Sequence, residues 1–366
     1  VQAENGSGIK TRVFRVSDEN FDAVLEEAAE LIRKGGTVAF PTETVYGLGA
    51  DGLLPEAVRK IFEAKQRPPG NPLSLLIHSR EDLQQIVRDV PENAFKLMDA
   101  FWPGPLTLVL EKSDSVPAIT SGNLPSVGVR MPDHRIPLEL VKRAGRPLAA
   151  PSANLSGRPS PSSAAHVLAD LEGRIDAVLD GGAVTIGVES TVVDLTAEPP
   201  VVLRPGAIGL EALEEIIGEV RLGYENANEA AGEISSEKRA GQKYGHYTPD
   251  TAVVLVEGEG DQVSEKIGEL AGIFQKDGLK VGFLLSEESA SFLNSKGLRS
   301  EDSEEWFLLG GREEPDTVAR RLFEGLRILD LKGFDVILAD GSFSNTGLGL
   351  ALLNRLKEAA STKFEV

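Results

Sequence analysis

The chain has 366 residues, 41% hydrophobic and 26% charged, with no apolar run near the ~20 residues that cross a bilayer, so it is expected to be no membrane protein and too long for one small module. It has 38 Lys and Arg against 57 Asp and Glu, a net charge of -19, the wrong sign for a protein whose main task is to hold a phosphate backbone. Cysteine is absent, which excludes disulfides, thiolate nucleophiles and sulfur-ligated zinc, and residues 1–10 are polar without an apolar signal segment, so a cytoplasmic location is expected.

From residue 14 to about 223, short β-rich runs alternate with amphipathic ones. Strands are predicted at 37–40, 73–77, 106–110, 127–130, 177–179, 191–195 and 201–203, and helices at 21–33, 56–65, 80–87, 137–143, 163–171 and 210–217. The pattern is that of an α/β domain, and it leaves the strand order open. Residues 226–242 are rich in Ala, Gly, Glu and Ser and poor in large apolar side chains, as expected of a connector. A second alternation follows, with strands at 252–256, 281–285, 306–309 and 336–339 and helices at 263–274, 317–329 and 350–360. It predicts βαβ units and a small, mostly parallel sheet covered on both faces.

Two glycine motifs invite a nucleotide-site reading. Gly47-Leu48-Gly49-Ala50-Asp51-Gly52 fits G-x-G-x-x-G, but residues 41–46 separate it from the preceding strand, Pro55 starts the next helix, and the next strand ends at His78 where a ribose-binding acid is required. It is read as a glycine-rich turn, which leaves an oxidoreductase without support. Gly347-Leu348-Gly349, before the last helix, is likewise read as a plain turn rather than an anion seat. Signatures of P-loop, zincin and α/β-hydrolase chemistry are absent, and the four histidines are scattered.

Strand ends in the first domain deliver hydroxyls, amides and cations, the groups that orient phosphate and carboxylate: Thr42, Thr44, Tyr46, Lys65, Arg67, Asn71, Thr107, Arg130, Ser152, Asn154, Ser156, Ser190, Thr191 and Arg204. Each alone also fits a cap or turn. In order, however, Pro41-Thr42-Glu43-Thr44-Val45-Tyr46-Gly47-Leu48, Lys65-Gln66-Arg67-Pro68, Asn71-Pro72-Leu73, Phe101-Trp102-Pro103-Gly104-Pro105-Leu106-Thr107, Gly128-Val129-Arg130-Met131-Pro132, Pro151-Ser152-Ala153-Asn154-Leu155-Ser156-Gly157, Glu189-Ser190-Thr191-Val192-Val193-Asp194 and Leu203-Arg204-Pro205-Gly206 resemble the YrdC-like threonylcarbamoyl-AMP synthases. The resemblance covers roughly residues 13–220, and the trailing domain looks like that of the family's long form.

The resemblance implies a YrdC-like twisted-sheet catalytic domain (1–225), a linker over the active site (226–249) and a smaller Rossmann-like three-layer α/β domain (250–366). It implies a nucleotidyltransferase that condenses L-threonine, bicarbonate and ATP, with Mg²⁺ held by the ATP phosphates, and hands its product to a tRNA-modifying transferase complex. Carried over by position, Lys65, Arg67, Ser152, Asn154, Ser160 and Arg204 would hold the nucleotide, with Asn71 and Ser126 in support, and Thr44, Tyr46, Arg130 and Ser190 would hold threonine. Of these, Lys65, Arg67, Ser152 and Asn154 would carry the catalysis. Two departures stand out. Leu76 replaces a histidine frequent in the family, with His78 two residues later, about 7 Å along the same strand face. Gly245 replaces a cation in the linker motif Lys243-Tyr244-Gly245-His246-Tyr247-Thr248-Pro249, whose Tyr244 and Tyr247 are expected at the nucleotide. The competing functions are an RNA-binding or ribosome-maturation module, which the net charge disfavours, and a carbamoyl transferase, which in related proteins carries extra zinc modules that a cysteine-free chain lacks.

Overall fold

The computed structural model describes residues 8–68, 70–223, 247–298 and 303–366. The chain divides into two compact units, the first made of 1–156, 160–185 and 189–243, the second of 157–159, 186–188 and 244–366.

An eleven-stranded sheet organises the first unit. In chain order its strands are β1 (Arg12–Arg15), β2 (Val38–Phe40), β3 (Gly47–Asp51), β4 (Leu75–Leu76), β5 (Leu106–Glu111), β6 (Ser126–Arg130), β7 (Leu148–Ala149), β8 (Ala177–Asp180), β9 (Thr191–Asp194), β10 (Val201–Arg204) and β11 (Arg221–Leu222). In space they run β1-β8-β2-β3-β7-β4-β6-β5-β9-β10-β11, with mixed polarity. The helices are α1 (Phe21–Arg33), α2 (Pro55–Lys65), α3 (Leu83–Ile86), α4 (Glu92–Phe101), α5 (Ala118–Ser121), α6 (Arg135–Ala144), α7 (Ala164–Leu171) and α8 (Leu210–Ile217). Helix α1 buries Phe21, Val24, Leu25, Ala28, Ala29 and Ile32, the spacing of one apolar face, against α6 and the strands beside it. A larger core forms around Leu48, Ile61, Leu75, Leu106 and Val129.

All seven strands expected in this region are present, at slightly shifted bounds. The sequence 47–52, however, is not a turn. Residues 47–51 form β3, antiparallel to β2 with Val38 opposite Gly49. Two glycines of the motif are explained by proximity: a Cβ on Gly49 would lie 2.5 Å from the Phe40 ring, and one on Gly52, just after the strand, 2.3 Å from Leu75 Cδ2. The helix expected at 80–87 is a 3₁₀ turn (Arg80–Asp82) followed by the short α3.

The second unit holds a five-stranded sheet of β12 (Ala252–Glu257), β13 (Val281–Leu285), β14 (Trp306–Leu308), β15 (Val336–Gly341) and β16 (Thr362–Glu365), ordered β14-β13-β15-β12-β16 and parallel throughout. Helices α9 (Gly260–Lys276) and α10 (Glu287–Ser295) bury Val263, Ile267, Leu270 and Leu293 with Val254, Val256, Val281 and Leu338. The crossovers α11 (Pro315–Leu331) and α12 (Gly347–Ala359) also pack on the sheet, α11 on β13 and α12 on β12 and β15. Gly347-Leu348-Gly349 is no turn either; it opens α12, where a Cβ on Gly349 would meet the Ser344 carbonyl at 2.3 Å.

Candidate active site

Residues 41–46 link β2 to β3 and are buried. The Thr42 hydroxyl donates to Val45 O (2.7 Å), so the 2.8 Å contact between the two threonine hydroxyls has Thr44 as donor. Arg130, the last residue of β6, is buried beside them. Its Nε donates to Gly104 O (3.1 Å), its Nη1 to Thr44 Oγ1 (3.0 Å), and its Nη2 stands 2.6 Å from Glu43 Oε1 in a buried ion pair. Glu43 Oε1 also accepts Asp133 N–H (3.0 Å), while Oε2 meets no hydrogen-bond donor among the described residues.

Strand register extends this group. Strand β5 is antiparallel to β6 and parallel to β9, and β10 is antiparallel to β9, which sets the end of β6, the start of β5, the start of β9 and the end of β10 side by side. Arg130, Thr107, Ser190 and Arg204 occupy those places. Thr107 and Ser190 share a hydroxyl contact of 2.8 Å, and Arg204 donates from Nε and Nη2 to Ser190 O (3.1 and 2.9 Å) and from Nη2 to Ser190 Oγ (3.1 Å). Just before Ser190, Glu189 accepts the Ser160 hydroxyl. Tyr46 OH donates to Gly182 O (2.6 Å); burial, with the Asp180 charge nearby, pushes the phenol pKa up and keeps it a neutral donor.

A second group lies around the end of α2. Lys65 sits on that helix's buried face at 1% exposure, and Gln66 then turns left-handed at φ 51°. Lys65 Nζ donates to the carbonyls of Ser152 and Asn154 (the latter 2.6 Å), and Lys65 O accepts Ser156 N–H (2.9 Å). Burial, reinforced by the Arg67 charge, holds the Lys65 pKa well below its ordinary value, against the opposing pull of Asp170 and Glu189. Arg67 reaches back to Pro72 O (3.2 Å). The backbone joins the two groups: Ala153 N–H donates to Tyr46 O and Leu48 N–H to Pro151 O, each at 2.8 Å.

Asn71 and Ser126 are buried but stand apart from Arg130. Ser126 opens the strand that Arg130 closes, a separation of roughly 13 Å at the usual rise, and Asn71 precedes β4, which runs parallel to β6. Leu76 is buried in the apolar cluster of α1 and α6. His78 is committed elsewhere: its Nδ1 lies 2.7 Å from Asp82 Oδ2, which also accepts the amides of His78 and Ser79. In the second unit Tyr247 packs its ring 5.1 Å from that of Phe323 and 5.4 Å from the Arg355 guanidinium. Tyr244, Gly245 and His246 lie outside the described residues. Sequence reasoning passed over Glu43 and Glu189 as functional residues; each is a lone acid inside a hydroxyl-rich motif, and that was the available signal. No group of three or more His, Asp or Glu that could hold a metal ion occurs among the described residues.

A sheet that gathers buried hydroxyls, two guanidinium groups and an ammonium from separate segments defines an enzyme domain for small anionic substrates. A family model described as telomere recombination matches residues 30–206, and one described as threonylcarbamoyl-AMP synthase, C-terminal domain, matches residues 208–361. Threonylcarbamoyl-AMP synthase of Pyrococcus abyssi is 49% identical over 97% of this chain and 99% of its own, and that of Bacillus subtilis 44% identical over 93% of each. The crystal structure of P. abyssi Sua5 complexed with L-threonine superposes with a TM-score of 0.86 at 46% identity, covering 97% of this chain and 99% of that one. The chain belongs to the threonylcarbamoyl-AMP synthase family, ATP-using transferases of tRNA modification. This disfavours the RNA-binding alternative. No described helix is long and apolar enough to cross a membrane.

Proposed function

We propose that the protein joins L-threonine, bicarbonate and ATP into threonylcarbamoyl-AMP with release of pyrophosphate, and that the two groups described above divide the work. Thr44, Tyr46, Arg130 and Ser190 take threonine. Arg67, Asn71, Ser126, Ser152, Asn154, Ser160 and Arg204 take the nucleotide, and Arg204 bridges the two through Ser190. The carrying observation is the hydrogen-bonded chain Thr107–Ser190–Arg204 beside Arg130–Thr44, five residues from separate segments held in fixed positions.

The chemistry asks chiefly for placement. Ammonium and bicarbonate lose water and one proton to give a carbamate, whose oxygen displaces pyrophosphate from the α-phosphorus, so no protein nucleophile is needed. Two N–H groups of Arg130 are taken by protein acceptors, Gly104 O and Thr44 Oγ1, while the buried Nη2 faces Glu43 as an ion pair without a hydrogen bond, which leaves N–H groups on both Nη atoms for the amino-acid carboxylate. Mg²⁺ would arrive with the triphosphate rather than on a protein site. The division into catalytic domain 1–225, linker 226–249 and C-terminal domain 250–366 belongs to the same proposal, as do a cytoplasmic location and hand-off of the adduct to a tRNA-modifying complex.

The test is direct. Protein incubated with ATP, Mg²⁺, bicarbonate and threonine should yield the mixed anhydride by mass spectrometry, and none when threonine is omitted. Arg67→Ala should lower the yield on the order of a hundredfold if its guanidinium stabilises charge at the phosphates. An undiminished yield from that variant would overturn the assignment of Arg67.

A further inference from the structure

Lys65 differs from the other cations assigned to the nucleotide. It is almost completely buried, and its Nζ is engaged by two backbone carbonyls two residues apart, Ser152 O and Asn154 O. The one ammonium grips both carbonyls, so the bend at Ala153 and Asn154 is held at two points. The opposite side of the segment is fixed by Ala153 N–H to Tyr46 O and by the bridge between Gly47 and Ser152. Below it, Ser156 N–H is tied to Lys65 O. Segment 152–156 is therefore clamped between the start of β3 and the last turn of α2.

We infer that Lys65 is a positioning residue: its ammonium holds the carbonyls of Ser152 and Asn154 so that this segment presents its side chains to the nucleotide, and it does not itself meet the β- or γ-phosphate. The inference rests on the nucleotide site proposed above. The charges around the ammonium are Arg67, Asp170 and Glu189, and Asp170 Oδ2 accepts Leu155 N–H (3.3 Å), so it acts on the same segment.

A phosphate contact and a clamp differ in what they do to a shortened ligand. A lysine on the β- or γ-phosphate matters for ATP and not for AMP; a clamp on segment 152–156 matters equally for both. The experiment compares calorimetric affinities of ATP, AMP and L-threonine for the full chain and for Lys65→Met, which keeps the length and removes the donors. Expected is a loss of roughly tenfold or more, by the same factor for ATP and AMP, with threonine affinity unchanged. A loss confined to ATP would overturn the inference while leaving the nucleotide site standing, and a parallel loss of threonine affinity would reduce Lys65 to general stability. Wild-type protein that binds threonine but neither nucleotide would sink the site itself. Should Lys65→Met fail to fold, Lys65→Arg, which keeps the charge but displaces the carbonyls, carries the same ATP-against-AMP comparison.

Discussion

Two buried cations in the first unit are stabilised in opposite ways. Arg130 faces a carboxylate, Glu43, at 2.6 Å, whereas the hydrogen bonds of Lys65 go to neutral carbonyls. A charge paired with a charge is secure as a pair and costly when halved; a charge held by dipoles remains exposed to desolvation, which is why the Lys65 pKa is driven down. The site thus contains one cation paired with a carboxylate and one whose charge burial opposes.

Halving the pair should give the largest effect. Glu43→Ala leaves a buried guanidinium uncompensated and should destabilise the fold by about 3–5 kcal/mol in urea unfolding, while the double variant Glu43→Met with Arg130→Met should recover most of that loss. If the double variant is no better than the single one, the contrast drawn here is wrong. Lys65→Met orphans two carbonyls but no charge, and about 1–3 kcal/mol is expected by the same measurement. Tyr46→Phe, which removes one hydroxyl from Gly182 O, should cost about 1 kcal/mol.

The smallest effect is one of pH. His134 caps α6, its Nδ1 accepting Ile136 N–H, and burial lowers its pKa despite Glu43 and Asp133 nearby. A histidine with a depressed folded pKa takes up its proton more readily when unfolded, so its contribution is complete above the unfolded pKa, about 6.5, and is lost as the pH falls below it. Melting temperatures recorded from pH 7.5 to 5 should fall with acidification, and His134→Asn, which keeps a capping acceptor, should flatten that slope slightly.

The second unit was the more legible half. Its parallel strands are buried on both faces and read as unbroken apolar runs, so β12, β13 and β15 stand out without any partner being known. The strands that escaped the sequence are short or lie at an edge: β1 is mostly exposed, β7 and β11 have two residues each, and β16 carries Thr, Lys and Glu on an edge, although the equally short β4 and the edge strand β14 were legible. Strand β3 was hidden for another reason. Gly49 within it and Gly52 just after it are there because the Phe40 ring and Leu75 occupy the space of their side chains, which is tertiary information.

For the site, motif order supplied the residues but not their partners. Glu43 and Arg130 are 87 positions apart, and only the folded sheet reveals that the acid belongs to the arginine. Spacing alone does not show whether His78 stands in for the family histidine that Leu76 replaces; its contact with Asp82 gives the ring a local partner four residues away. The clamp by Lys65 had no sequence signal at all, because backbone carbonyls look the same at every position.

Helix α2 starts at Pro55 and stops at the left-handed Gln66, so its register relative to segment 152–156 is set at both ends. Each residue advances a helix by about 100° and 1.5 Å. A single residue inserted between those stops would swing the Lys65 side chain around the barrel of the helix and off its carbonyls, even though every motif residue survived. In this molecule the helix serves as a gauge block, and its eleven residues are a dimension of the enzyme as much as any side chain at its surface.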